Sequence, residues 1–284
     1  MFHWGVVCAT AVCSRTVHAV SVSSRLCFVW GSMRHFGTRR HKFPGEEWQR
    51  QSLEPKTAMC SHIHADIEEN IWAWLKNVIV GLNFCPFAEK PIKEKRMQIL
   101  VVDGDLHSSF EIREKILQEM LRMKDNSGTT LVVAPDFYPD DFVGFLDFIA
   151  TDLEDGIMED YDLHGTIQIA PFHPCFMFDE SKENDVDNYT NRSPYPIFHL
   201  LKEEEVTRAV ESIGGESTMI WKRNVRFLGN LEEQLGRENV EAVMRGEEVP
   251  GVKQILRGEI FSRSVDEDNI FYKRLGNNGA KKLD

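Results

Sequence analysis

The sequence lacks any long apolar run and contains few cysteines. Its longest apolar runs, at 131–135 and 167–172, are far shorter than the about 20 residues that a membrane-spanning helix needs, so we expect no membrane span. Six cysteines are present, three of them within residues 1–45. The other three form no CxxC pair, and we expect them to be reduced thiols: Cys60, Cys85 and Cys175.

Acidic residues are absent from the first 45 positions, which contain six Lys or Arg. This segment therefore carries +6, whereas the remaining 27 basic and 45 acidic residues give the rest of the chain −18. The segment is also rich in Ser and Val, which is typical of an organelle transit peptide. We predict import into mitochondria, with the plastid as the alternative. A body this acidic repels phosphate backbones, so nucleic acid is not an expected partner.

The chain has no internal repeat and no low-complexity block, which favours one folded body. We interpret residues 1–45 as the transit peptide and the mixed, polar residues 46–61 as a linker. Residues 62–257 are predicted to form a single α/β domain with C-terminal helices. Residues 258–284 are predicted to be a flexible tail.

Three short runs rich in apolar and β-branched residues predict strands at 97–102, 129–134 and 166–172. Helical segments separate them, and strands separated by helices imply right-handed parallel crossovers. The predicted fold is therefore α/β, with a small, mostly parallel sheet of three or more strands and packed helices. The alternative is a ferredoxin-like α+β sandwich, which a further strand within 154–165 would favour.

Helices are predicted wherever apolar residues recur every three or four positions. The predicted helices lie near 67–82, 109–124, 140–153, 194–201, 203–212 and 225–244. The glutamates at positions 203–205 are interpreted as a solvated helix start, because the helix dipole favours negative charge in the first turn.

Polar residues follow each predicted strand: Asp103 and Asp105 after the first, Asp136 after the second and His173 after the third. The carboxyl ends of parallel strands meet at one edge of a sheet, where binding sites commonly lie. These groups are suited to acid and base catalysis or to binding a divalent metal. The alternative is that the aspartates have a purely structural role, because Asp is a preferred residue in turns and helix caps.

Three peptides are unusually dense in polar and aromatic residues: GLNFCPFA at 81–88, FHPCF at 172–176 and NYTNRSPYP at 188–196, followed by HLL at 199–201. With these motifs the chain resembles the domain of unknown function 1415 family. The resemblance extends from about Ile67 to about Val210, roughly half of the chain. It implies neither a reaction nor a cofactor.

The third motif predicts a site for an anion. Ser193 before Pro194 is typical of a helix cap followed by the first helical residue. The free N–H groups of such a helix, together with Arg192, would bind the carboxylate or phosphate of a small anionic ligand. The predicted substrate-binding residues are Asn191, Arg192, Ser193, Tyr195 and His199. The alternative is that Arg192 pairs with an acidic residue and the asparagines hold the loop to itself.

The predicted catalytic residues are His173, Cys85 and Asp136. Cys85 would be a nucleophile with His173 or His199 as its base, since a thiolate needs a neighbouring proton acceptor. However, its position at the end of a helix raises the pKa of a thiol, which favours a buried structural cysteine instead.

A metal site would draw on His173, Cys175 and Cys85, with His199 or Asp136 as a further ligand. These ligand types suit zinc or iron. The spacing of these residues is scattered and matches no known ligand pattern. The sequence therefore leaves both metal and cofactor open.

Two functions are compatible with these patterns. The first is an enzyme that acts on a small anionic metabolite by acid/base or thiol chemistry. The second is a non-catalytic module in an organelle, which binds a ligand or serves assembly. The balance is close, and the concentration of polar groups in loops tips it towards the enzyme. The enzyme requires His173 and Arg192 to open into one cavity, whereas the module allows each to lie in its own hydrogen-bond network.

Overall fold

The computed structural model describes residues 56–261 except 180 and 216, with side chains described between 64 and 257. The predicted transit peptide at 1–45 lies outside these residues, as do most of the predicted linker and tail. Residues 56–61 of the predicted linker are helical, because the first helix begins at Lys56. Within the described residues, no helix is both long and apolar enough to cross a membrane.

The described part of the chain contains eight α-helices: α1 (Lys56–Trp74), α2 (Glu89–Lys93), α3 (Ser109–Asp125), α4 (Phe142–Phe148), α5 (Glu203–Ser212), α6 (Thr218–Leu235), α7 (Arg237–Met244) and α8 (Val252–Phe261). Two of them continue as π-helices, α1 through Leu75–Val80 and α4 through Ile149–Met158. The prediction of a single helix at 225–244 is wrong, because the segment contains the end of α6 and all of α7. Gly236, with φ 81°, separates α6 from α7 in a conformation that favours glycine.

The sheet has four strands: β1 (Met97–Val101), β2 (Thr129–Val133), β3 (Ile167–Phe172) and β4 (Ile197–Lys202), in the spatial order β1-β2-β4-β3. β1 and β2 pair in parallel, whereas β4 is antiparallel to both β2 and β3. β1, β2 and β3 therefore run in the same direction, and β4 lies between the last two in the opposite direction. All three predicted strands are confirmed.

The α/β class is confirmed, but the prediction of a mostly parallel sheet is wrong. The reason is the segment 194–201, which was predicted to be a helix and instead enters the sheet as β4. Its apolar residues are buried on both faces of a central strand, so their run resembles a buried helix in periodicity. The segment 154–165, where a strand would have favoured the ferredoxin-like alternative, begins in a π-helix and contains no strand among its described residues.

Helices cover both faces of the sheet. One face, with Leu131, Phe172 and Ile197, packs against α1 and its π-helix and against α6 to α8. The other face, with Val132 and Phe198, packs against α3, α4 and the second π-helix. Because β4 is central, alternate residues of one strand belong to two separate cores.

Candidate functional site

A cavity of about 630 Å³ opens on the sheet face that packs against α1. The strand residues that line it include Met97, Thr129 and Leu201, so it lies near the start of β1 and β2 and the end of β4. Its volume falls within the range of about 300 to 1,000 Å³ typical of small-molecule sites. The cavity thus lies towards the end of the sheet opposite to the edge at which the sequence predicted a site.

The first motif, 81–88, forms one wall of this cavity. The first half of the motif is bound to α6. Arg223 and Asn224 of that helix donate hydrogen bonds to the carbonyl oxygens of Asn83 and Phe84, at 3.3 and 2.9 Å. The Phe84 ring is buried edge-on against Phe227, with the ring centroids 6.1 Å apart. The second half of the motif, residues 85–88, lines the cavity.

The second motif and the HLL run each contribute one aromatic ring to the same cavity, whereas residues 188–196 of the third motif do not line it. Phe172, from the second motif, lines it together with Trp74 at the end of α1, and the two rings meet edge-on at 5.8 Å. His199, from the HLL run, lies beside Phe172 with the ring centroids 5.9 Å apart. Three stretches of sequence that are far apart in the chain therefore meet at one cavity.

Among the described residues, His199 makes a hydrogen bond through one of its two ring nitrogens. The Thr129 hydroxyl donates to the carbonyl oxygen of Leu200 at 2.7 Å, so towards Nε2 of His199, 2.8 Å away, it acts as the acceptor. Nε2 therefore carries the proton, and Nδ1 carries the lone pair. Burial lowers the pKa of His199 to about 4, which keeps the ring neutral at pH 7.

Two buried nitrogens in this wall lack a hydrogen-bond partner among the described residues: Nδ1 of His199 and Nε1 of Trp74. The first is an acceptor and the second a donor. A buried polar atom without a partner is uncommon in folded proteins and calls for an explanation, such as a bound water or ligand.

The mouth of the cavity is basic. Its charged lining residues are one acidic side chain, Glu205, and four basic ones: Lys90, Arg96, Lys202 and Arg208. The hydrogen bond with Glu94 raises the pKa of Arg96, and the bond with Glu205 adds to this effect. Lys202 donates to the carbonyl oxygen of Lys124 at 3.1 Å, and Arg208 lies 3.6 Å from Glu204.

His173 lies outside this cavity and is buried directly after the end of β3. Its Nε2 donates to the carbonyl oxygen of Tyr138 at 2.8 Å, and its Nδ1 accepts from the backbone N–H of Cys175 at 3.0 Å. Burial lowers the pKa of His173 as well. Both ring nitrogens are therefore satisfied by the backbone.

Arg192 also lies outside the cavity, and it holds a loop together. Its guanidinium donates to the carbonyl oxygens of Phe176 and Glu183, at 3.3 and 2.7 Å, and lies 4.5 Å from the centroid of the Tyr189 ring. Neither Arg192 nor His173 lines the cavity, and each lies in its own hydrogen-bond network. The pairing of Arg192 with an acidic carboxylate, suggested as the alternative, is replaced by bonds to backbone carbonyls.

The prediction of a helix that begins at Ser193 is wrong. Residues 193–196 are not helical, and β4 begins directly after Pro196. The Ser193 hydroxyl donates to the carbonyl oxygen of Tyr195 at 2.6 Å rather than capping a helix. Tyr195 in turn accepts a hydrogen bond from Asn70 at 3.1 Å. The helix N-terminus that was to bind an anion is therefore absent.

The remaining predicted residues are dispersed. Asn191 is buried, its backbone oxygen accepts from the N–H of His173 at 3.3 Å, and its Nδ2 has no partner among the described residues. Asp136 is exposed after β2, and Asp103 is hydrogen-bonded to His64. Cys175 is an exposed free thiol. Within the part of the chain that is described, no three His, Cys, Asp or Glu residues lie together as a metal site would require.

Cys85 lines the cavity but is disulfide-bonded, so the expectation of a reduced thiol is wrong for this residue. Its side chain is buried, with 4% of its surface exposed. In this form its sulfur is not the thiolate that nucleophilic catalysis requires.

Several residues of the site were not predicted from the sequence, above all Thr129, Trp74 and Arg96. Thr129 was identified only as the start of a strand, and its role depends on the pairing of β2 with β4, which the helix prediction at 194–201 concealed. The basic residues of the mouth come from α2, β4, α5 and the loop before β1, and no local pattern unites them.

Comparison with other proteins gives a family and nothing narrower. Searches of curated proteins and of solved structures give no match. One family matches residues 66–238, well over half of the chain and including all the motifs described above. The chain therefore belongs to the family described as proteins of unknown function (DUF1415).

Proposed function

We propose that this protein binds a small organic anion with an apolar body in the cavity between α1, α5 and the sheet. The observation that carries the proposal is that residues 85–88 of the first motif, Phe172 of the second and His199 of the HLL run all line that cavity. These peptides were singled out for their sequence alone. Their meeting at a cavity of ligand size supports a role in binding.

The wall of the cavity suits an apolar ligand body. It combines the aromatic rings of Trp74, Phe87 and Phe172 with aliphatic side chains such as Leu131 and Ile79. Burying apolar ligand surface against such a wall is favourable by about 25 cal/mol per Å². The few polar atoms of the wall, at His199 and Trp74, are of the kind that orient a ligand within an apolar site.

The charge of the mouth selects an anion. Four basic side chains and one acidic side chain line the cavity of a chain whose net charge is −12. A local concentration of positive charge at a cleft attracts anions and increases their rate of association. The surrounding acidic surface repels polyanions, so a small anion is the better match.

The chemistry of the cavity favours binding without a reaction, the second of the two functions predicted from the sequence. A general base works best when its pKa is near the working pH, whereas the pKa of His199 is about 4. Cys85 is disulfide-bonded, and neither His173 nor Asp136 lines the cavity. In the described lining of the cavity, the enzyme alternative therefore has a weak base, His199, and lacks the thiolate, the imidazole and the carboxylate that were predicted to be catalytic.

The proposal is tested by isothermal titration calorimetry of the full chain with matched probes. Hydrocinnamate and octanoate combine an apolar body with a carboxylate, and phenylpropylamine and octylamine carry the same bodies with a positive charge. We expect the anions to bind and the amines to bind at least about tenfold more weakly, a difference of roughly 1.4 kcal/mol. Equal binding of both charge types, or no binding of either anion, contradicts the proposal.

A pair of variants locates the binding. Ala209 lines the cavity from α5, and Thr207 lies on the same helix, exposed and outside the lining. Ala209→Trp fills the cavity and is expected to abolish hydrocinnamate binding, whereas Thr207→Trp is expected to leave it unchanged. Circular dichroism confirms that both variants are folded. If Ala209→Trp folds and still binds hydrocinnamate with the wild-type affinity, the ligand lies elsewhere.

A further inference from the structure

Resting on the proposed function, we infer that the ligand is a carboxylic acid whose carboxylate binds between Arg96 and Gly128, in the place now taken by the side chain of Glu205. The cavity would thus contain a carboxylate site that the protein itself occupies.

The contacts of Glu205 are those of a bound carboxylate. Its Oε2 accepts a hydrogen bond from Nη1 of Arg96 at 3.0 Å, and its Oε1 accepts one from the backbone N–H of Gly128 at 3.0 Å. All three residues line the cavity. A guanidinium and a backbone N–H, each donating to one oxygen, form charge-assisted hydrogen bonds, which are stronger than bonds between neutral groups.

The two donors are held in place independently of Glu205. Gly128 has φ 122°, and a Cβ there would lie 2.2 Å from the carbonyl oxygen of Arg96, so only glycine allows this close approach. The next residue, Thr129, donates its N–H to the same carbonyl oxygen at 3.0 Å. The turn before β2 thus fixes the Gly128 N–H beside the backbone of Arg96. Glu94 holds the Arg96 guanidinium, because its Oε2 accepts from Nε at 2.9 Å and from Nη2 at 2.6 Å. Both donors are therefore in place in advance of any ligand.

Glu205 differs from its neighbour in the same helical turn. Glu204 keeps 74% of its side chain exposed and approaches Arg208 at 3.6 Å, as expected of a solvated helix start. The Glu205 side chain is only 24% exposed and is the one acidic group in the described lining of the cavity. The first turn of α5 therefore places one carboxylate inside a basic mouth.

An internal carboxylate in this position competes with the ligand. The Arg96 and Glu205 side chains are each about a quarter exposed, and ion pairs near the surface are weak enough for a ligand to displace. Rotation of the Glu205 side chain alone frees both donors. Removing its charge should therefore raise the affinity of the cavity for a carboxylate, by about fivefold if the pair contributes near the upper limit for exposed ion pairs.

Chemical rescue tests the site itself. In the full chain, Glu205→Ala leaves Arg96 and Gly128 open to a carboxylate from solution, so acetate should raise its melting temperature by a few degrees at constant ionic strength. Acetate should not stabilise the wild type, nor Glu211→Ala, which removes an exposed acid from the same helix. A Glu205→Ala protein that acetate does not stabilise overturns the inference.

Ligand affinity provides the second measurement. Calorimetry should show that Glu205→Ala binds hydrocinnamate about fivefold more tightly than the wild type, while Glu211→Ala binds it as the wild type does. If Glu205→Ala does not fold, Glu205→Gln keeps an acceptor for Gly128 without the charge and should show the same direction. Unchanged or weaker binding overturns the inference, and so does tighter binding of phenethyl phosphate than of hydrocinnamate.

The two proposals fail in different ways. If the wild type binds no apolar anion but acetate still stabilises Glu205→Ala, the function proposed above is wrong and the carboxylate site remains. If the wild type binds hydrocinnamate and removal of Glu205 brings no gain in affinity, the cavity binds anions by other groups and only this inference is wrong.

Discussion

One buried histidine directly follows β3 and another lies in the middle of β4, and the two differ in how many of their hydrogen bonds are made. After β3, both ring nitrogens of His173 bond to the backbone, through Tyr138 and Cys175. Within β4, His199 uses only Nε2, and its Nδ1 has no partner among the described residues. A histidine with both bonds made is part of the structure, whereas one with a bond to spare next to a cavity is able to recognise a ligand.

The same contrast holds for two arginines, Arg192 and Arg96. Arg192 donates to two backbone carbonyls and stacks on Tyr189, so its contacts hold a loop. Arg96 lines the cavity and bonds to two carboxylates. A dense motif therefore does not by itself mark a binding site, because the contacts of its residues decide whether they hold the chain or a ligand.

The largest expected effect separates the two histidines by their stability. His173→Ala leaves the Tyr138 carbonyl and the Cys175 N–H buried without partners and also opens a hole, so the free energy of unfolding should fall by about 3 to 5 kcal/mol. His199→Ala should cost about 1 to 2 kcal/mol, because the Thr129 hydroxyl keeps its bond to Leu200. Urea denaturation measures both values.

Two results of these denaturation experiments would contradict the roles assigned to the two histidines. Equal losses for the two substitutions would show that the unmade bond of His199 does not matter to stability. A His173→Ala protein that is as stable as the wild type would refute the structural role assigned to that residue.

The next effect is a dependence of stability on pH. The pKa of His199 is about 4 in the folded protein and about 6.5 in the unfolded chain, so between these values the unfolded state binds the proton and the folded state does not. Stability should therefore fall by up to about 3 kcal/mol as the pH drops from about 6.5 to about 4. Burial lowers the pKa of His173 too, and its contribution has the same sign.

The variant His199→Asn isolates this contribution. It retains an acceptor near the position of Nδ1 and does not titrate, so urea denaturation across the pH range should show a flatter curve than for the wild type. The difference between the two curves should grow below about pH 6.5 and level off below about pH 4. Parallel curves would mean that His199 titrates normally in the folded protein.

The smallest effect is expected for Arg192. Arg192→Ala removes two hydrogen bonds to carbonyl oxygens that are partly solvated, and should lower the free energy of unfolding by about 1 kcal/mol. Its affinity for hydrocinnamate should equal that of the wild type, whereas Arg96→Ala should bind this probe severalfold more weakly. Calorimetry on both variants decides between an anion site at Arg96 and one at Arg192. Weaker binding by Arg192→Ala would place the anion site at Arg192, as the sequence predicted.

Local patterns predicted most of the elements but not the strand that organises the site. β1, β2, β3, α3 and α5 follow from hydrophobic periodicity and flanking turn residues, and the structure confirms them. β4 is a short apolar run, and periodicity cannot distinguish a buried strand from a buried helix in so few residues. What makes it a strand is its place between β2 and β3, a tertiary fact.

The site was only partly predicted, because it too depends on contacts between elements that are far apart in the sequence. Cys85 and His199 were singled out from the sequence, and both line the cavity. Thr129, which fixes the proton of His199 on Nε2, acquires that role only through the pairing of β2 with β4. Arg96, Gly128 and Glu205 are brought together by the turn before β2 and the start of α5, and no spacing in the sequence announces such a contact.

The central position of β4 determines when the cavity comes into existence during folding. A chain released from the ribosome up to β3 contains the parallel pair of β1 and β2, but the strand that must lie beside β2 has not yet been made. Long-range pairing of this kind is slow to form, since a large loop must close first. Ligand recognition is therefore among the last properties that this domain acquires, and probe binding would serve as a reporter of its complete folding.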